Sequence, residues 1–337
     1  MGGEDAPTRA GRRWWWRAAT VVFLAAALGF AAALLFGQWQ ELRRLRAELG
    51  SFGWRISAGW LLAAVALGTA DLAWMGGAWV HLYRAGGGTL GYGRGVRVWI
   101  ATNLGRYIPG KVWQLSGLAL HLRRTGESGA LGLASALVFQ VVTLLTGTAV
   151  AAATLGGGLA RVPSTSPEMI VLIVMCIMIL LHPRIVRAAT RAAARVTKED
   201  VGDLQVPGPR DLAVAGGLLT AAWGIYGLGF WCLLRGLTPA PAAGPVTLTG
   251  VYAAAYVAGY LVLVAPGGLV VREGAMTALL AALTPLGAAV GGAVAVAARI
   301  WVTATELLAF GLAATLPGGR AGGPDAGPGE GGRRTAP

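Results

Sequence analysis

The residues in this chain best suited to chemistry are charged and amide side chains placed within long apolar segments. A charged side chain costs at least about 2.5–3.5 kcal/mol to insert at the centre of a bilayer, so it usually faces a cavity or a partner. A cation excess suits an anionic headgroup, because arginine binds phosphate through two parallel hydrogen bonds. Three groups are candidates for substrate binding: Asn103, Arg106, Lys111 and Gln114; Arg272 and Glu273; and Arg299 and Glu306.

The third group lies on a single predicted helix. Arg299 and Glu306 are seven residues apart and therefore share a helix face. At 1.5 Å per residue they are separated by about 10 Å along the axis, too far for an easy direct ion pair. We expect each of them to meet a group on another segment, and Glu273 is the partner we favour for Arg299.

Simpler interpretations of the charged residues stay open. Arg272 and Glu273 could form an ion pair that locks a helix in place. Arg106 or Lys111 could extend to the membrane interface, where its charge stays hydrated. Asp71 stands alone in another apolar segment, and it is as suited to a hydrogen bond with a neighbouring helix as to contact with a substrate.

Residues for covalent catalysis or metal binding are scarce. The three histidines lie at the ends of apolar segments, and the two cysteines lie within apolar runs without CxxC spacing. No HExxH, GxSxG, phosphate-binding-loop or GxGxxG motif is present. No paired acids are spaced for hydrolysis. We therefore predict no catalytic residue, no metal site and no cofactor.

The composition indicates that much of this chain is surrounded by lipid. Of its 337 residues, 55% are hydrophobic and 13% are charged, about half the charged share of a soluble domain. The net charge of +13 comes from arginines that flank apolar runs, as the positive-inside rule describes. No nucleic-acid module is recognisable, and we predict no nucleic-acid partner. The pattern predicts an all-α, polytopic membrane protein.

Six full spans and two interrupted apolar stretches, 98–122 and 246–283, are predicted, and a basic loop with Arg94 and Arg97 precedes the first stretch. Each interruption combines proline with glycine, which would bend the stretch into a helical hairpin or kink a full span. With two hairpins the chain has six spans; with two kinked helices it has eight. The spans are 18–36, 56–80, 130–155, 168–181, 212–234 and 286–316, and the breaks are Pro109, Gly110, Pro266, Gly267 and Gly268.

The distribution of Lys and Arg orients these segments. With both termini in the cytoplasm, the basic connections fall inside, and only the loop 37–55 breaks the rule. This assignment requires each interrupted stretch to enter and leave on one side, as a re-entrant hairpin. The domain 18–316 then has two inverted halves, 18–155 and 168–316. We also expect a cytoplasmic segment 1–17 and a disordered tail 317–337.

Two blocks carry a family resemblance. The first is NLGRYIPGKVWQ at 103–114, and the second is APGGLVVREG at 265–274. Both resemble the lysylphosphatidylglycerol synthase transmembrane-region family of flippase-like membrane proteins. The second block is similar to that family's Pro-Gly-Gly-x-Gly-x-Arg-Glu pattern, with Val270 where glycine is usual. The resemblance covers about residues 15–316 and extends to the last span.

In the bifunctional members, this membrane region moves an aminoacylated lipid across the bilayer and is fused to a soluble aminoacyl-transferase domain. This chain ends soon after its last predicted span, so the resemblance implies no synthase activity. We predict a translocator in the cell membrane, not an enzyme, for an anionic or aminoacylated phospholipid or a polyprenyl-phosphate lipid. Membrane lipids are its predicted partners, and no oligomeric state is predicted. The alternatives are an accessory subunit of a separate transferase and a membrane enzyme acting on headgroups.

Overall fold

The structure is a computed structural model. It describes residues 53–107, 112–156, 207–238, 243–261 and 269–315 continuously, with isolated positions between 29 and 50 and between 158 and 205. The predicted segment 1–17, the predicted span 168–181, both proline–glycine breaks and the tail 317–337 lie outside the described residues, and only isolated positions of the predicted span 18–36 are described. The continuous ranges contain helices and no strand, which confirms an all-α polytopic fold. The helices are α1 (Ala58–Ala85), α2 (Tyr92–Asn103), α3 (Val112–Arg124), α4 (Gly129–Leu155), α5 (Pro209–Leu237), α6 (Pro245–Leu261), α7 (Leu269–Leu283) and α8 (Gly287–Thr315), with a 3-10 turn, Leu104–Tyr107, after α2.

Four of these helices, α1, α4, α5 and α8, are long and apolar enough to cross a membrane. They have 27 to 29 residues, or about 40–44 Å at 1.5 Å per residue, against a hydrocarbon core of about 30 Å. At the start of two of these helices, a polar side chain accepts a hydrogen bond from a backbone N–H group. The Ser128 hydroxyl accepts a hydrogen bond from the Leu131 N–H at 3.1 Å, and the Asp211 carboxylate accepts one from the Gly208 N–H at 3.1 Å. Helices α1, α4, α5 and α8 correspond, in this order, to the second, third, fifth and last predicted spans.

The interrupted stretches form two pairs of shorter helices. The arms of the first pair, α2 and α3, have 12 and 13 residues, and at about 18–20 Å each is too short to cross the hydrocarbon core. The arms of the second pair, α6 and α7, have 17 and 15 residues and pack side by side. Helix α2 begins at Tyr92 instead of Val98. Arg94 and Arg97 therefore belong to its polar first turns, which the apolar pattern had placed in a loop.

Helices α1 and α5 pack antiparallel along their whole length. At one end the Arg55 N–H donates to the Leu237 carbonyl at 3.1 Å. At the other end a ring nitrogen of His81 lies 3.2 Å from the Asp211 carbonyl oxygen. A long helix, a broken pair and a second long helix thus occur twice in the chain, and the leading long helices of the two sets run in opposite directions.

The main helix contacts of the first set have counterparts in the second. Helix α1 packs on α2 as α5 packs on α6, and α3 packs on α4 as α7 packs on α8. Between the sets, α8 packs on α1 and α2, while α4 packs on α5 and α6. One of the two main apolar clusters consists mostly of residues of the second set of helices, and the other mostly of residues of the first. Residues of both clusters line the cavities described next.

Candidate functional site

Arg272 lies near the start of α7, where the arms of the second pair meet. A Cβ at Gly259 on α6 would lie 2.7 Å from the Arg272 Cβ, so this approach requires glycine. The guanidinium lies along α6 and donates a hydrogen bond to the Tyr252 hydroxyl. Its Cζ lies 4.7 Å from the Tyr252 ring centroid and 5.9 Å from that of Tyr256. Within the described ranges Arg272 makes no ion pair, so neutral hydroxyl and aromatic groups surround its charge.

Glu273, the next residue, points to a different partner. Its carboxylate accepts a hydrogen bond from the Arg299 guanidinium, which forms the interhelical ion pair favoured from the sequence. The two side chains are 22% and 24% exposed, and they join α7 to α8. The alternative ion pair between Arg272 and Glu273 is not formed among the described side chains. All three residues border one small pocket.

An inner chamber lies where the two sets of helices meet. Residues from α1, α4, α5, α6, α7 and α8 line it. Its wall combines acids, a cation and aromatic hydroxyl groups, and the Tyr226 and Tyr252 ring centroids are 4.6 Å apart. These polar lining residues are Asp71, Tyr226, Tyr252, Tyr256, Arg272 and Glu306.

Asp71 is the most isolated polar group of the inner chamber. Its side chain is buried, with 1% exposure, and neither carboxylate oxygen has a hydrogen-bond partner. Of the two alternatives left open by the sequence, the hydrogen bond to a neighbouring helix is therefore not formed among the described helices. One turn earlier on the same face, a Cβ at Gly68 would lie 2.8 Å from Thr305 Cγ2. This close packing of α1 on α8 places Asp71 in one cavity with Glu306.

An outer chamber adjoins the inner one, and the two share Arg272 and Tyr256. The outer chamber extends between α2, α3, α4 and α6. On its wall the Gln114 amide donates to the Asn103 carbonyl oxygen at 3.1 Å, which joins the arms of the first pair. Three other lining N–H groups are buried without a partner: Trp99 Nε1, Asn103 Nδ2 and Gln140 Nε2.

The structure thus brings together six of the eight sequence-predicted residues around two connected chambers and the adjacent small pocket. Asn103, Gln114 and Arg272 line the outer chamber, and Glu306 lines the inner one. The Arg106 side chain and Lys111 lie outside the described residues. In the part of the chain that the structure describes, no group of three or more His, Cys, Asp or Glu could hold a metal ion.

Sequence reasoning missed the tyrosines and the lone amide of the chambers. Tyr252 and Tyr256 are four residues apart, on a helix built mostly from small residues. Two aromatic hydroxyl groups on one face of such a helix were a usable signal, because a buried tyrosine needs a partner for its hydroxyl. Gln140, within an otherwise apolar span, was a weaker signal of the same kind.

A comparison with known protein families identifies the family of this chain. The model of the lysylphosphatidylglycerol synthase TM region matches residues 18–309. The chain belongs to this family. The match of the lysylphosphatidylglycerol synthase TM region includes all the candidate site residues, from Asn103 to Glu306, and both sets of helices. Neither the curated proteins nor the solved structures compared with the chain contain a match.

Proposed function

We propose that this protein moves a phosphate-bearing lipid between the leaflets of the cell membrane. The substrate class is an anionic or aminoacylated phospholipid or a polyprenyl-phosphate lipid. One observation carries the proposal: Arg272, without an ion-pair partner among the described residues, lies in a chamber whose wall also holds three buried N–H groups without acceptors. Family membership supports a membrane domain of this kind.

The chemistry of the outer chamber fits a phosphate-bearing headgroup. A buried donor without an acceptor costs about 1–3 kcal/mol, and a buried cation without a counter-ion costs more. Phosphate oxygens would satisfy both kinds of group at once, because they accept several hydrogen bonds and carry negative charge. On entering this chamber, a headgroup would lose its hydrogen bonds to water and form new ones to Arg272 and the amide donors. Its acyl or prenyl chains would stay in lipid.

The helix arrangement supports a path between leaflets. We propose that the two sets are inverted halves with both termini in the cytoplasm. The antiparallel packing of α1 on α5 and the matched helix contacts support this relation. Interrupted helices at membrane depth are tolerated where protein or a water-filled cavity surrounds them, and paired interruptions in two halves are typical of transporter sites.

The proposal assigns no bond-making step to the chain. The test is reconstitution of the purified protein in liposomes that carry head-labelled lipids of several classes. The label in the outer leaflet is then destroyed by an impermeant reagent. We expect faster loss of inner-leaflet label than in protein-free vesicles, for anionic lipids. Translocation no faster than in protein-free vesicles, across all lipid classes, would contradict the proposal and favour an accessory subunit of a separate transferase.

A matched pair of arginine variants ties the activity to the site. Arg272→Gln should abolish translocation, because it removes the cation shared by both chambers. Arg235→Gln is the control. Arg235 lies near the end of α5, and its Cζ is 5.0 Å from the ring centroid of Trp60 and 5.4 Å from that of Trp231. It lines neither chamber. Equal loss of activity in both variants would argue against a headgroup site at Arg272.

A further inference from the structure

Asp71 has no structural role that a hydrogen bond could explain. It is the fourteenth of the 28 residues of α1 and therefore lies at the middle of a membrane-length helix. Threonines buried beside the chamber behave differently, since Thr143 and Thr305 donate to carbonyls of their own helices at 2.8 Å and 2.7 Å. Asp71 instead borders the inner chamber with both oxygens unpartnered. An ionised carboxylate in this position costs several kcal/mol, and proton binding removes that cost.

The other groups that face the inner chamber decide what protonation of Asp71 would do. Helix α4 contributes the uncharged Thr143, and the charged residues Arg94 and Arg97 of α2 line a separate pocket. Among the residues that the structure describes, the titratable and charged groups that face Asp71 are Tyr226 from α5, Tyr252 and Tyr256 from α6, Arg272 from α7 and Glu306 from α8.

These groups make anion binding depend on a proton. An ionised Asp71 places a negative charge in the same cavity as Arg272. An anionic headgroup at Arg272 would then be repelled across a low-dielectric cavity. Protonation of Asp71 removes this repulsive charge. Because the linkage is reciprocal, a bound anion equally favours the proton on Asp71.

We propose that Asp71 is a proton-binding site linked to headgroup binding at Arg272, so that binding of an anionic headgroup draws up to one proton onto Asp71. The inference rests on the proposed function and adds a proton to it. The proton comes from water, binds a carboxylate oxygen of Asp71 and returns to water when the headgroup leaves. No other bond forms or breaks.

Headgroup affinity as a function of pH tests the inference. The full chain in detergent is titrated with dihexanoyl phosphatidylglycerol, whose phosphodiester keeps its charge between pH 5 and 8. We expect the affinity to rise as pH falls, by at most about tenfold per pH unit for one linked proton. Asp71→Asn should abolish this dependence and keep the affinity near the low-pH value. Asp211→Asn, which changes an acid at the start of α5 outside both chambers, should keep the wild-type dependence.

A second measurement needs no variant. Binding enthalpies in two buffers with different ionisation enthalpies give the number of protons taken up per lipid, and we expect a value between zero and one that peaks where the affinity depends most steeply on pH. Affinity independent of pH, zero proton uptake, or an Asp71→Asn variant with the wild-type pH dependence would each overturn the inference and leave the proposed function standing. Absence of binding at every pH would instead contradict the proposed function, and this inference with it.

Discussion

At the residue scale, two adjacent charged side chains of α7 contact different partners. Glu273 neutralises Arg299 on α8, while Arg272 points along α6 to Tyr252. Because successive residues on a helix point about 100° apart, one turn can serve both a structural contact and a binding surface. Glu273 thus holds α7 against α8, and this contact leaves Arg272 available to the chambers.

The Glu273–Arg299 pair predicts a specific coupling. Glu273→Gln or Arg299→Gln should each lower the free energy of unfolding by about 1–3 kcal/mol, because each leaves one charge unpaired in a partly buried site. The double variant should cost less than the two single changes together, with a coupling energy of about 0.5–3 kcal/mol. Reversible unfolding in mixed micelles measures all four proteins of the cycle.

The pair Glu273→Gln and Arg235→Gln is the control for this cycle. Arg235 stacks on aromatic rings near the end of α5, so these two changes should be additive. Additive effects for Glu273 and Arg299 as well would show that the ion pair contributes nothing to stability.

The sequence could identify the charged residues of the site but not their surroundings. Arg272, Glu273 and Arg299 are conspicuous because charge is expensive in an apolar segment. Trp99 is not conspicuous, because aromatic residues in such segments usually serve packing. The unpartnered state of Asp71 depends on which faces of six helices meet, and no spacing along α1 encodes that.

At the element scale, the crossing of α1 and α8 depends on a small residue. A Cβ at Gly68 would lie 2.8 Å from Thr305 Cγ2 and 3.1 Å from an atom of the Trp301 ring. The Trp301 indole also donates to the Ala64 carbonyl at 2.8 Å. These contacts hold α1 and α8 together at the residues that precede Asp71 on α1. The size of the inner chamber therefore depends on them.

Gly68→Ala should therefore lower the free energy of unfolding by about 1–3 kcal/mol, because the added methyl group overpacks the crossing. Gly77→Ala on the same helix is the control. A Cβ there meets nothing within 4 Å, so helix propensity should make this change neutral or stabilising by up to about 1 kcal/mol. Thermal midpoints measured by size-exclusion chromatography compare the two variants. Equal midpoints would contradict the close contact at Gly68.

The elements themselves were readable from the sequence to within a few residues. Predicted spans 130–155 and 286–316 correspond to helices Gly129–Leu155 and Gly287–Thr315. Apolar runs set these limits well because a helix in lipid must remain apolar over its full length. They set the start of α2 poorly. Its first turns carry Arg94 and Arg97, which apolarity alone assigns to a loop.

At the scale of the whole molecule, the antiparallel packing of α1 and α5 fixes which helix ends lie on the same side. Residues before α1 lie beside residues after α5, as the hydrogen bond from Arg55 to Leu237 shows. Residues after α1 lie beside the start of α5, where His81 meets Asp211. This geometry assigns connections to two faces without reference to their charges.

Single cysteines in a background without Cys176 and Cys232 test this assignment. An impermeant maleimide should label Arg55→Cys and Gly244→Cys in intact cells. It should label Gly91→Cys and Gln205→Cys only after permeabilisation, because the proposed orientation places the basic connections inside. All four positions are exposed in the structure. The cysteine-free protein gives the background, and opposite labelling of the two members of either pair would contradict the arrangement.

The distance in sequence between α1 and α5 also has a consequence during synthesis. About 120 residues separate the end of α1 from the start of α5, which takes about 6–25 seconds at about 5–20 residues per second. For that time α1 has neither α5 nor α8 beside it, and the carboxyl group of Asp71 has lipid, translocon or earlier helices as its surroundings. The apolar remainder of α1 must offset about 2.5–3.5 kcal/mol for that acid. The free-energy cost of inserting Asp71 therefore arises well before the inner chamber has formed.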